Sequence, residues 1–401
     1  MSAPARPPEG HAPFLGDGGA GVSRSTAARL RSGSAVQSQP AVAQRQVGRP
    51  VSAVPMTRLA ADYRRFCAKR RWLLAALVLA VAVSLVFDVA TGPSRFPLAD
   101  IWQGLVDRAS LSPAQAVILW EVRLPYGLMA VLVGAALGLS GAEMQTVLNN
   151  PLASPFTLGV AAAATFGASL AIVLQFDAFG LGAQLGVPLL AFVFATGAIA
   201  LIQILSNRYG ASVDTVVLFG IALLFSFEAL GWLLQFIADA DALQQIVFWT
   251  IGSLARATWP KLLVLAVVLA VCGAAAMRQA WLLTALRGGE AQARSLGVAV
   301  ERLRLVVLLR ASLLCAVALS FVGTIGFVGL LGPHVSRLLL GEDHRFYLPG
   351  AALAGALMLS LASIASKSVV PGVVLPIGIV TALVGVPLFM SIILGRKRVG
   401  S

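Results

Sequence analysis

The sequence predicts an all-α, polytopic membrane protein with about ten transmembrane helices. Of its 401 residues, 58% are hydrophobic and only 12% are charged, whereas soluble domains carry roughly 25% charged residues. Apolar stretches of spanning length also recur from Trp72 onward, separated by proline, glycine and charged residues. Because so few charges cannot coat the surface of a water-soluble globule, the composition excludes a soluble enzyme.

The predicted spans follow one another through the chain with mostly short connections. Each approaches the roughly 20 apolar residues that a spanning helix needs. In chain order they are 72–90, 124–142, 156–174, 181–205, 213–237, 260–277, 305–321, 325–340, 348–366 and 377–394. The eighth is short and glycine-rich, and an interrupted helix of this kind is tolerated where it faces protein or a water-filled path.

The second span carries a stripe of small residues. Gly134, Gly138 and Gly141 recur at intervals of four and three residues and therefore share one helix face. Such stripes let helix backbones approach closely in lipid, where packing replaces the hydrophobic driving force. The stripe indicates a packed bundle, which is typical of a channel or transporter.

The first part of the chain differs from the rest. Residues 1–55 are rich in Ala, Pro, Ser, Gly, Gln and Arg and show no hydrophobic periodicity. Such a composition buries too little apolar surface to offset the entropy of ordering. We therefore predict a disordered basic leader over 1–65 and a transmembrane domain over 66–398. Translation from Met56 is an alternative account of the leader.

The net charge of +13 lies at the two ends of the chain. Residues 1–71 have a net charge of +9, and the tail 396–398 adds three positive charges. A nucleic-acid-binding face would interleave basic and aromatic residues on a folded surface, so no nucleic-acid partner is predicted. With the N-terminus in the cytoplasm, cytoplasmic segments hold 22 of the 30 basic residues and the opposite loops hold six. The positive-inside rule therefore places both termini in the cytoplasm, with lipid around the spans.

Cysteine and histidine give no sign of a metal site or a disulfide framework. The residues are Cys67, Cys272, Cys315, His11, His334 and His344. Their number and spacing match no metal-binding motif. We predict no metal and no cofactor, and we expect the cysteines to be small buried side chains.

Three charged residues fall within predicted spans: Glu143, Glu228 and Arg310. A charged side chain at a helix centre costs about 2.5–3.5 kcal/mol on insertion scales. We expect Glu143 to reach water or to cap the turn that follows its helix. Glu228 is expected to pair with Arg310. A path-lining role and a proton relay are the alternatives for Glu228.

Two stretches of the sequence are more specific than its composition. The first, residues 123–160, reads RLPYGLMAVLVGAALGLSGAEMQTVLNNPLASPFTLGV. The second combines GEAQARSLGVAVERLR (289–304), SFVGTIGFVGLLGPHVSRLLLGEDHR (320–345) and LPIGIVTALVGVPLF (375–389). In order and spacing these motifs resemble the permease subunits of ABC importers for iron–siderophore complexes, haem and cobalamin, the FecCD-type or type II importer family. The resemblance covers about residues 72–395.

The resemblance implies the type II ABC importer permease fold and a second permease copy, identical or homologous, that encloses one path. It also implies two ATPase subunits and a periplasmic or lipoprotein substrate-binding protein. The sequence itself lacks a phosphate-binding loop, because Ser366 stands where GxxxxGK[ST] requires a glycine before Lys367. We therefore expect no enzymatic activity and no catalytic residue in this chain, with ATP hydrolysis on a separate subunit.

The resemblance also assigns a coupling segment. In the family, a polar stretch between two long spans forms the coupling helices that dock into a groove on the ATPase. The matching candidates are Glu290, Ala293, Arg294, Ser295, Leu296, Gly297 and Val298. We expect Leu296 and Val298 to enter an apolar pocket while the charges fix the register at its rim.

Two basic residues are candidates for docking the substrate-binding protein. Arg123 matches a family arginine that receives an acidic residue of that protein, and Lys367 falls where the family often has another basic residue. An exposed charge pair would fix the docking orientation. Tyr126 stands where a second arginine is common and Val374 where a glutamate is usual, so docking would depend on fewer charges.

The pathway and gating candidates lie at helix breaks or within a span: Asn149, Asn150, Pro151, Glu228, Pro333 and His334. The asparagine amides can satisfy backbone groups that a helix-breaking turn leaves free. We place His334 at the start of a helical stretch, and a lone histidine is not expected to bind a metal.

Together the motifs predict the permease subunit of an ATP-driven importer in the bacterial inner membrane, carrying an iron–siderophore complex. Haem or cobalamin transport within the same family is an alternative, and so is a proton-coupled secondary carrier. Because the predicted pathway walls are apolar and small, we expect substrate specificity to lie mainly in the receptor.

Overall fold

The computed structural model describes residues 56–92, 97–177, 183–210 and 212–399. Within these ranges the chain forms fifteen α-helices and no strand. The first eight are α1 Met56–Ala90, α2 Leu98–Val106, α3 Pro113–Val117, α4 Leu124–Val147, α5 Val160–Val173, α6 Ala183–Tyr209, α7 Val213–Ile237 and α8 Ala240–Thr250. The others are α9 Trp259–Arg278, α10 Ala280–Arg287, α11 Glu290–Ser295, α12 Val300–Val322, α13 Val328–Leu340, α14 His344–Ser368 and α15 Ile377–Val399.

Each of the ten predicted spans coincides with one helix: α1, α4, α5, α6, α7, α9, α12, α13, α14 and α15. Within the described ranges, seven helices are long and apolar enough to cross a membrane, and α5, α13 and the first part of α15 are shorter apolar helices. The eighth predicted span, α13, has 13 residues and is about 20 Å long. It is therefore shorter than the roughly 30 Å hydrocarbon core, as its glycines suggested.

The helices that do not span lie at the two ends of the bundle. We call one end the α2 end: it carries α2, α3, the π-helix Ile118–Arg123 that joins α3 to α4, and α8. Here the indole Nε1 of Trp259 donates to the carbonyl of Trp120 across 2.9 Å. We call the other the α11 end, because it carries α10 and α11. Successive spanning helices run in alternate directions between the two ends.

The predicted boundary of the membrane domain needs a correction. Helix α1 begins at Met56, so the expectation of disorder is wrong for residues 56–65. The leader over 1–55 lies outside the described residues. Helical structure continues from the basic residues of α1 into its apolar span without a break.

The core of the bundle is formed by α4 and α12, the most buried of the long spanning helices. The glycine stripe of α4 explains its close packing. Gly134 and Gly138 face the backbone of α14 at 351–355, and Gly141 faces Gly329 of α13. A Cβ atom at any of the three would overlap the facing backbone, so the prediction of a packed small-residue stripe is confirmed.

Pro333 lies inside α13, five residues after its start at Val328. The expectation that His334 begins a helical stretch is therefore wrong, because the helix already starts at Val328. Pro333 has no N–H to donate to the carbonyl of Gly329. That carbonyl lies instead against Gly141 of α4, so the proline and the glycine stripe meet at one contact.

A buried ion pair joins α4 to α12, but it is not the predicted one. The Arg310 guanidinium donates to both carboxylate oxygens of Glu143, with Nε at 2.9 and 3.1 Å. Its Nη1 also donates to Gln279 Oε1 across 2.9 Å, between α9 and α10. The expected pairing of Arg310 with Glu228 is wrong, and Glu143 neither reaches water nor caps a turn. Three elements are instead held together around one buried charge pair.

Candidate coupling surface, pathway and receptor-facing end

Helices α10 and α11 form a short projection between α9 and α12. Gly289, with φ of +114°, separates the two helices, and the chain turns at Gly297, two residues after the end of α11, with φ of +82°. The Val298 N–H donates to the Ala293 carbonyl across 3.0 Å. The Gly297 N–H donates to the Arg294 carbonyl across 2.9 Å. This pair of bonds is the Schellman ending, which favours glycine at the left-handed position, so the Ser-Leu-Gly-Val sequence stops α11 abruptly.

The exposed part of α11 is narrower than predicted. Leu296 is 58% exposed at the tip, and Arg294 and Ser295 are exposed beside it. Ala293 and Val298 are 0% and 5% exposed and belong to this chain's own apolar core. The expectation that Val298 would enter a partner's pocket is therefore wrong. Leu296 is the candidate with a large apolar side chain available for that contact.

Ion pairs on the surface orient α11 against the start of α12. Arg294 lies 3.0 Å from Glu290 and 2.7 Å from Glu301. All three side chains are exposed, and exposed pairs contribute about 0–1 kcal/mol each. These ion pairs therefore orient the projection and add little to the stability of the protein.

Arg304 ties the projection to the body of the bundle. Its side chain is 2% exposed and forms an ion pair with Glu290 of α11. Its Nε donates to the carbonyl of Val147 at the end of α4 across 3.2 Å. Sequence reasoning missed this residue. The available signal was an arginine one turn inside an apolar span, where it is costly unless paired.

Arg287 links two turns at the same end. It donates to Asn149 Oδ1 across 3.0 Å and to Glu342 Oε1 across 2.8 Å. The first acceptor follows α4 and the second precedes α14. The Arg287 guanidinium holds the pKa of Glu342 below its usual range. Movement of α10 would therefore displace both turns.

The predicted helix-breaking turn at 149–151 is present. Asn149 has φ of +43°, a left-handed conformation that asparagine tolerates better than most residues. The Asn150 side chain accepts from the Leu152 N–H across 2.9 Å. The interpretation that an amide satisfies a freed backbone group is confirmed for Asn150. A gating role for this turn, including Pro151, stays a prediction.

His344 is a second residue that sequence reasoning missed. It is buried at the start of α14, with Nε2 2.8 Å from Thr146 Oγ1 and Nδ1 3.1 Å from Thr284 Oγ1. The imidazole therefore connects α14 with α4 and α10. Thr146 and Thr284 lie 198 and 60 residues from His344 in the chain, so no local pattern indicated the contact.

Glu228 lines a cavity of about 280 Å³ between α5, α7 and the end of α8. Residues around it include Thr165, Phe227, Glu228, Trp232, Thr250 and Thr324. Glu228 is partly exposed, and none of the described residues pairs with its carboxylate. The wall of this cavity is therefore more polar than the sequence suggested.

Arg123 is buried at the α2 end. Its side chain is 5% exposed, and Nη1 donates to the carbonyls of Val89 and Ala90, each across 3.0 Å. A cation at these last carbonyls of α1 is favourable because helix C-termini carry partial negative charge. The expectation of an exposed arginine is wrong.

Lys367 is also buried, against the same helix. Its Nζ lies 2.7 Å from Asp88 Oδ1, and Asp88 also accepts from Ser363 Oγ across 2.6 Å. Arg123 and Lys367 both line a cavity of about 390 Å³ together with Tyr126. Any receptor contact must therefore be made through this cavity, and the docking role stays a prediction.

No metal centre is formed by the described part of the chain. No group of three or more His, Cys, Asp or Glu side chains there could hold an ion. Cys67, Cys272 and Cys315 are free thiols, and the last two are buried.

These features define a multi-pass membrane transport protein: an apolar bundle of alternating helices, a paired-helix projection at one end and cavities at the other. Residues 77–395 match the FecCD transport family. The chain belongs to this family.

Named relatives cover most of the chain. It is 36% identical over 335 residues to the molybdate import system permease protein MolB of Haemophilus influenzae, covering 82% of this chain and 97% of the relative. It is 33% identical over 328 residues to the hemin transport system permease protein HmuU of Yersinia pestis, covering 82% and 97%. It is 34% identical over 336 residues to the vitamin B12 import system permease protein BtuC of Shigella boydii, covering 82% and 96%.

A solved structure supports the same conclusion. The chain matches an inward-facing conformation of a metal-chelate type ABC transporter with a TM-score of 0.70 and 34% identity, covering 81% of this chain and 99% of the other. The protein is an ABC importer permease, and its relatives are permease subunits rather than catalytic ones. The iron–siderophore substrate stays a prediction, since the relatives are named for molybdate, hemin and vitamin B12.

Proposed function

We propose that this permease moves a metal chelate, an iron–siderophore complex, across the bacterial inner membrane, driven by two ATPase subunits. The observation that carries the proposal is the α10–α11 projection. Its tip is exposed at Leu296, while Arg304 and Arg287 tie its base to α4 and to the turn before α14. A push on such a tip reaches the core helices through charge-assisted hydrogen bonds.

The proposed contact with the ATPase has an apolar centre and a charged rim. Leu296 enters a pocket on the partner, and Arg294 with its two glutamates fixes the register around it. A desolvated apolar anchor carries affinity, whereas rim charges carry orientation and encounter rate. Gly297 holds Leu296 at the apex, because the left-handed turn reverses the chain there.

The proposed pathway runs along α7, between this chain and a second permease copy. Large apolar side chains of α7 are exposed, including Phe225, Trp232 and Phe236. Helix α7 also borders the Glu228 cavity. Its exposed aromatic side chains therefore fit the wall of a protein-lined path better than a surface that contacts lipid alone. Glu228 is then a wall residue of the path.

The chemistry of the Glu228 cavity supports a substrate class. The hydroxyl of Thr165 donates to the Ala161 carbonyl across 3.0 Å, and that of Thr250 donates to the Ile246 carbonyl across 2.8 Å. The hydroxyl of Thr324 donates to the Thr250 carbonyl. With their protons used in this way, these groups present lone pairs to the cavity beside a carboxylate.

The carboxylate and the hydroxyl acceptors suit a ligand that is neutral or positive and carries hydrogen-bond donors, while Trp232 and Gln235 of the same cavity can donate to it. The carboxylate opposes an oxyanion such as molybdate, because like charges repel strongly where water is scarce. Metal chelates fit this requirement better, in line with the metal-chelate, hemin and vitamin B12 names among the similar proteins. Haem and cobalamin are the alternatives to a siderophore complex.

The receptor is proposed to dock at the α2 end. An acidic side chain of a periplasmic or lipoprotein receptor would enter the cavity lined by Arg123 and Lys367. There it would compete with Asp88 for the Lys367 ammonium. The α11 end, where α1 begins and α15 ends, is proposed to face the cytoplasm, because the basic residues concentrate in the segments predicted on that side.

The test is transport by the purified full chain together with the subunits that co-purify with it. We expect an ATPase subunit to be recovered with the chain, and ferric siderophore uptake into proteoliposomes to require ATP. Uptake that survives without ATP and collapses with the proton gradient would identify a secondary carrier instead. Replacing Glu228 with Gln should alter which chelates are carried; unchanged uptake of every substrate would remove its wall role.

A further inference from the structure

Two adjacent cavities at the α2 end have no part in the proposed transport cycle. The first has a volume of about 580 Å³ and is lined by Arg256, Lys261 and residues of α5, α6, α8 and α12. The second is a groove of about 470 Å³ along α6, α9 and α12. Pro188 and Ser320 line both, so the cavities adjoin. Each volume falls within the roughly 300–1,000 Å³ typical of ligand sites.

The first cavity is cationic and lacks a counter-charge. No acidic side chain lines it. Arg256 Nη2 donates to the Phe248 carbonyl across 3.2 Å, whereas its Nη1 is buried without a hydrogen-bond partner among the described residues. Burial lowers the pKa of the Arg256 guanidinium. Buried N–H groups are normally satisfied, so this nitrogen points to an anionic acceptor from outside the chain.

A second cation faces the same space. Lys261 also lines the cavity, and its Nζ donates to the carbonyl of Arg256 across 2.9 Å. The ammonium has three N–H donors, and this bond uses one of them. The ammonium is thus held against the backbone of Arg256, whose guanidinium lines the same cavity, and the two cations form a suitable pair for a phosphate group.

The adjoining groove is apolar. Apart from Ser320 its lining consists of apolar side chains of α6, α9 and α12, among them Leu189, Val264 and Phe321. Ser320 directs its hydroxyl to the Val317 carbonyl across 2.9 Å, so it presents little polarity. Helices α6 and α9 are also among the less buried spanning helices. The groove therefore opens toward the surroundings of the bundle.

Nearby tryptophans place the cations at headgroup depth. Trp259 begins α9 and lies next to Trp120, with ring centroids 6.4 Å apart. Tryptophan concentrates at the membrane–water interface. Lys261 follows Trp259 by two residues, while Val264 and Val268 lie further along the apolar helix. The positive charges are thus at the interface and the groove runs into the hydrocarbon region.

We propose that the two cavities form a binding site for an anionic phospholipid. The phosphate lies between Arg256 and Lys261, and an acyl chain passes Pro188 and Ser320 into the groove of α6 and α9. A free phosphate would occupy the first cavity alone and leave the groove unused. Phe248 of α8 lines the lipid site, and Thr250 of the same helix lines the Glu228 cavity. The bound lipid therefore packs against the helix that also borders the Glu228 cavity.

The experiment compares ligands on the purified full chain in neutral detergent. The thermal midpoint is measured with dioleoyl phosphatidylglycerol, with dioleoyl phosphatidylcholine and with inorganic phosphate. Phosphatidylglycerol is expected to raise the midpoint, and the other two are not. In the Arg256→Gln, Lys261→Gln variant, the phosphatidylglycerol concentration for half the effect should rise about tenfold or more, since charge-assisted bonds are lost.

Matched variants separate the two halves of the site. Arg108→Gln removes an exposed cation at the same end and should leave the lipid response unchanged. Val264→Trp fills the groove and should weaken it, whereas Leu263→Trp, on the same helix but outside the groove, should not. If the double variant fails to fold, the Lys261→Gln single variant replaces it. A smaller loss of phosphatidylglycerol affinity is then expected.

Three results would overturn the proposal. If inorganic phosphate reproduces the whole effect, the first cavity is an ion site. If phosphatidylcholine matches phosphatidylglycerol, the cations have no role in binding. An equal response from the wild type, the Lys261→Gln variant and the Val264→Trp variant would place the lipid elsewhere. Native mass spectrometry provides the direct count, with phosphatidylglycerol expected to be retained on the wild type and the two control variants and lost from the Arg256→Gln, Lys261→Gln double variant and the Val264→Trp variant.

Discussion

The two ends of the bundle use charge in opposite ways. At the α11 end, cations pair with acids from other elements close to water, as Arg294 does with Glu301 and Arg287 does with Glu342. At the α2 end, Arg123, Lys367 and Arg256 are buried or half-buried beside cavities. The first arrangement makes a connected surface, and the second makes pockets with charges in their walls.

This difference suits two kinds of contact. A connected surface transmits displacement, because each ion pair joins neighbouring elements and several share a residue. A pocket with buried charge selects its occupant, since an unsuitable group leaves that charge without compensation. The four predictions that follow test the contrast, from the largest expected effect to the smallest.

The largest effect is expected at the α2 end, from Lys367→Met. The change leaves Asp88 buried without its cation, and one oxygen of that carboxylate already lacks a hydrogen-bond partner. Breaking a buried pair costs about 3–5 kcal/mol. The free energy of unfolding, measured by detergent denaturation, should fall by that amount. Adding Asp88→Asn should recover much of it, and Arg294→Met at the exposed surface of the other end should leave the free energy of unfolding almost unchanged. Equal losses for Lys367→Met and Arg294→Met would refute the contrast between the ends.

The next effect concerns transmission at the α11 end. Arg304→Gln removes the charged tie between Glu290 and the end of α4. Hydrogen bonds to charged groups contribute about 1.5–3 kcal/mol. ATP hydrolysis by the co-purified complex should continue while uptake per ATP falls. Arg302→Gln, at an exposed neighbouring position, is the control. Uptake per ATP that stays normal in Arg304→Gln would show that the tie is not needed.

A smaller effect is expected from the apex of the projection. Gly297→Ala places a Cβ at φ of +82°, which costs about 1–2 kcal/mol for a residue other than glycine. Thermal stability should drop and co-purification of the ATPase should weaken. Gly197→Ala is the matched change, because Gly197 lies within α6 with open space around it. There alanine should be neutral or stabilising. Comparable losses for both would mean that the backbone conformation at 297 is unimportant.

The smallest effect is a pH dependence. The pKa of Glu342 is lowered in the folded protein, first by the hydrogen bond from Arg287. Its contribution is therefore present above the ordinary glutamate pKa of about 4.3 and is lost as pH falls through the lower folded value. The pair is partly exposed, so its worth is under about 1 kcal/mol. The stability gap between wild type and Glu342→Gln should be positive at pH 7 and shrink below pH 4. A gap that is constant with pH would exclude the linkage.

The ten spans could be predicted because length and apolarity are properties of each segment alone. The glycine stripe was equally local, since three spacings on one helix define a face. Pairing across helices is different. Arg310 had two acidic candidates, and the choice of Glu143 over Glu228 depends on how α4, α7 and α12 are rotated about their axes. Those rotations are set by the packing of the whole bundle and cannot be predicted from any single segment of the sequence.

The candidate sites were predicted by position more accurately than by exposure. The candidate coupling segment forms a projection, yet the Gly297 turn places Leu296 outside and Val298 inside. Arg123 and Lys367 lie near one another, but the end of α1 covers both. Arg304 went unnoticed because its contacts depend on how α11 folds back against α12 and on where α4 ends. His344 went unnoticed because its threonine partners lie 60 and 198 residues away in the chain.

The length of α1 determines how far its first turns extend from the hydrocarbon core of the membrane. With 35 residues the helix is about 52 Å long, whereas the hydrocarbon core is about 30 Å thick. About 20 Å of it therefore extends beyond the hydrocarbon core on the α11 side, where Arg345 of α14 donates to the Tyr63 hydroxyl across 2.9 Å. The headgroup region accounts for part of that length, and the rest reaches the aqueous side on which the ATPase is proposed to dock. A fluorophore attached near Tyr63 should thus report on assembly of the complex while staying insensitive to the bilayer's composition.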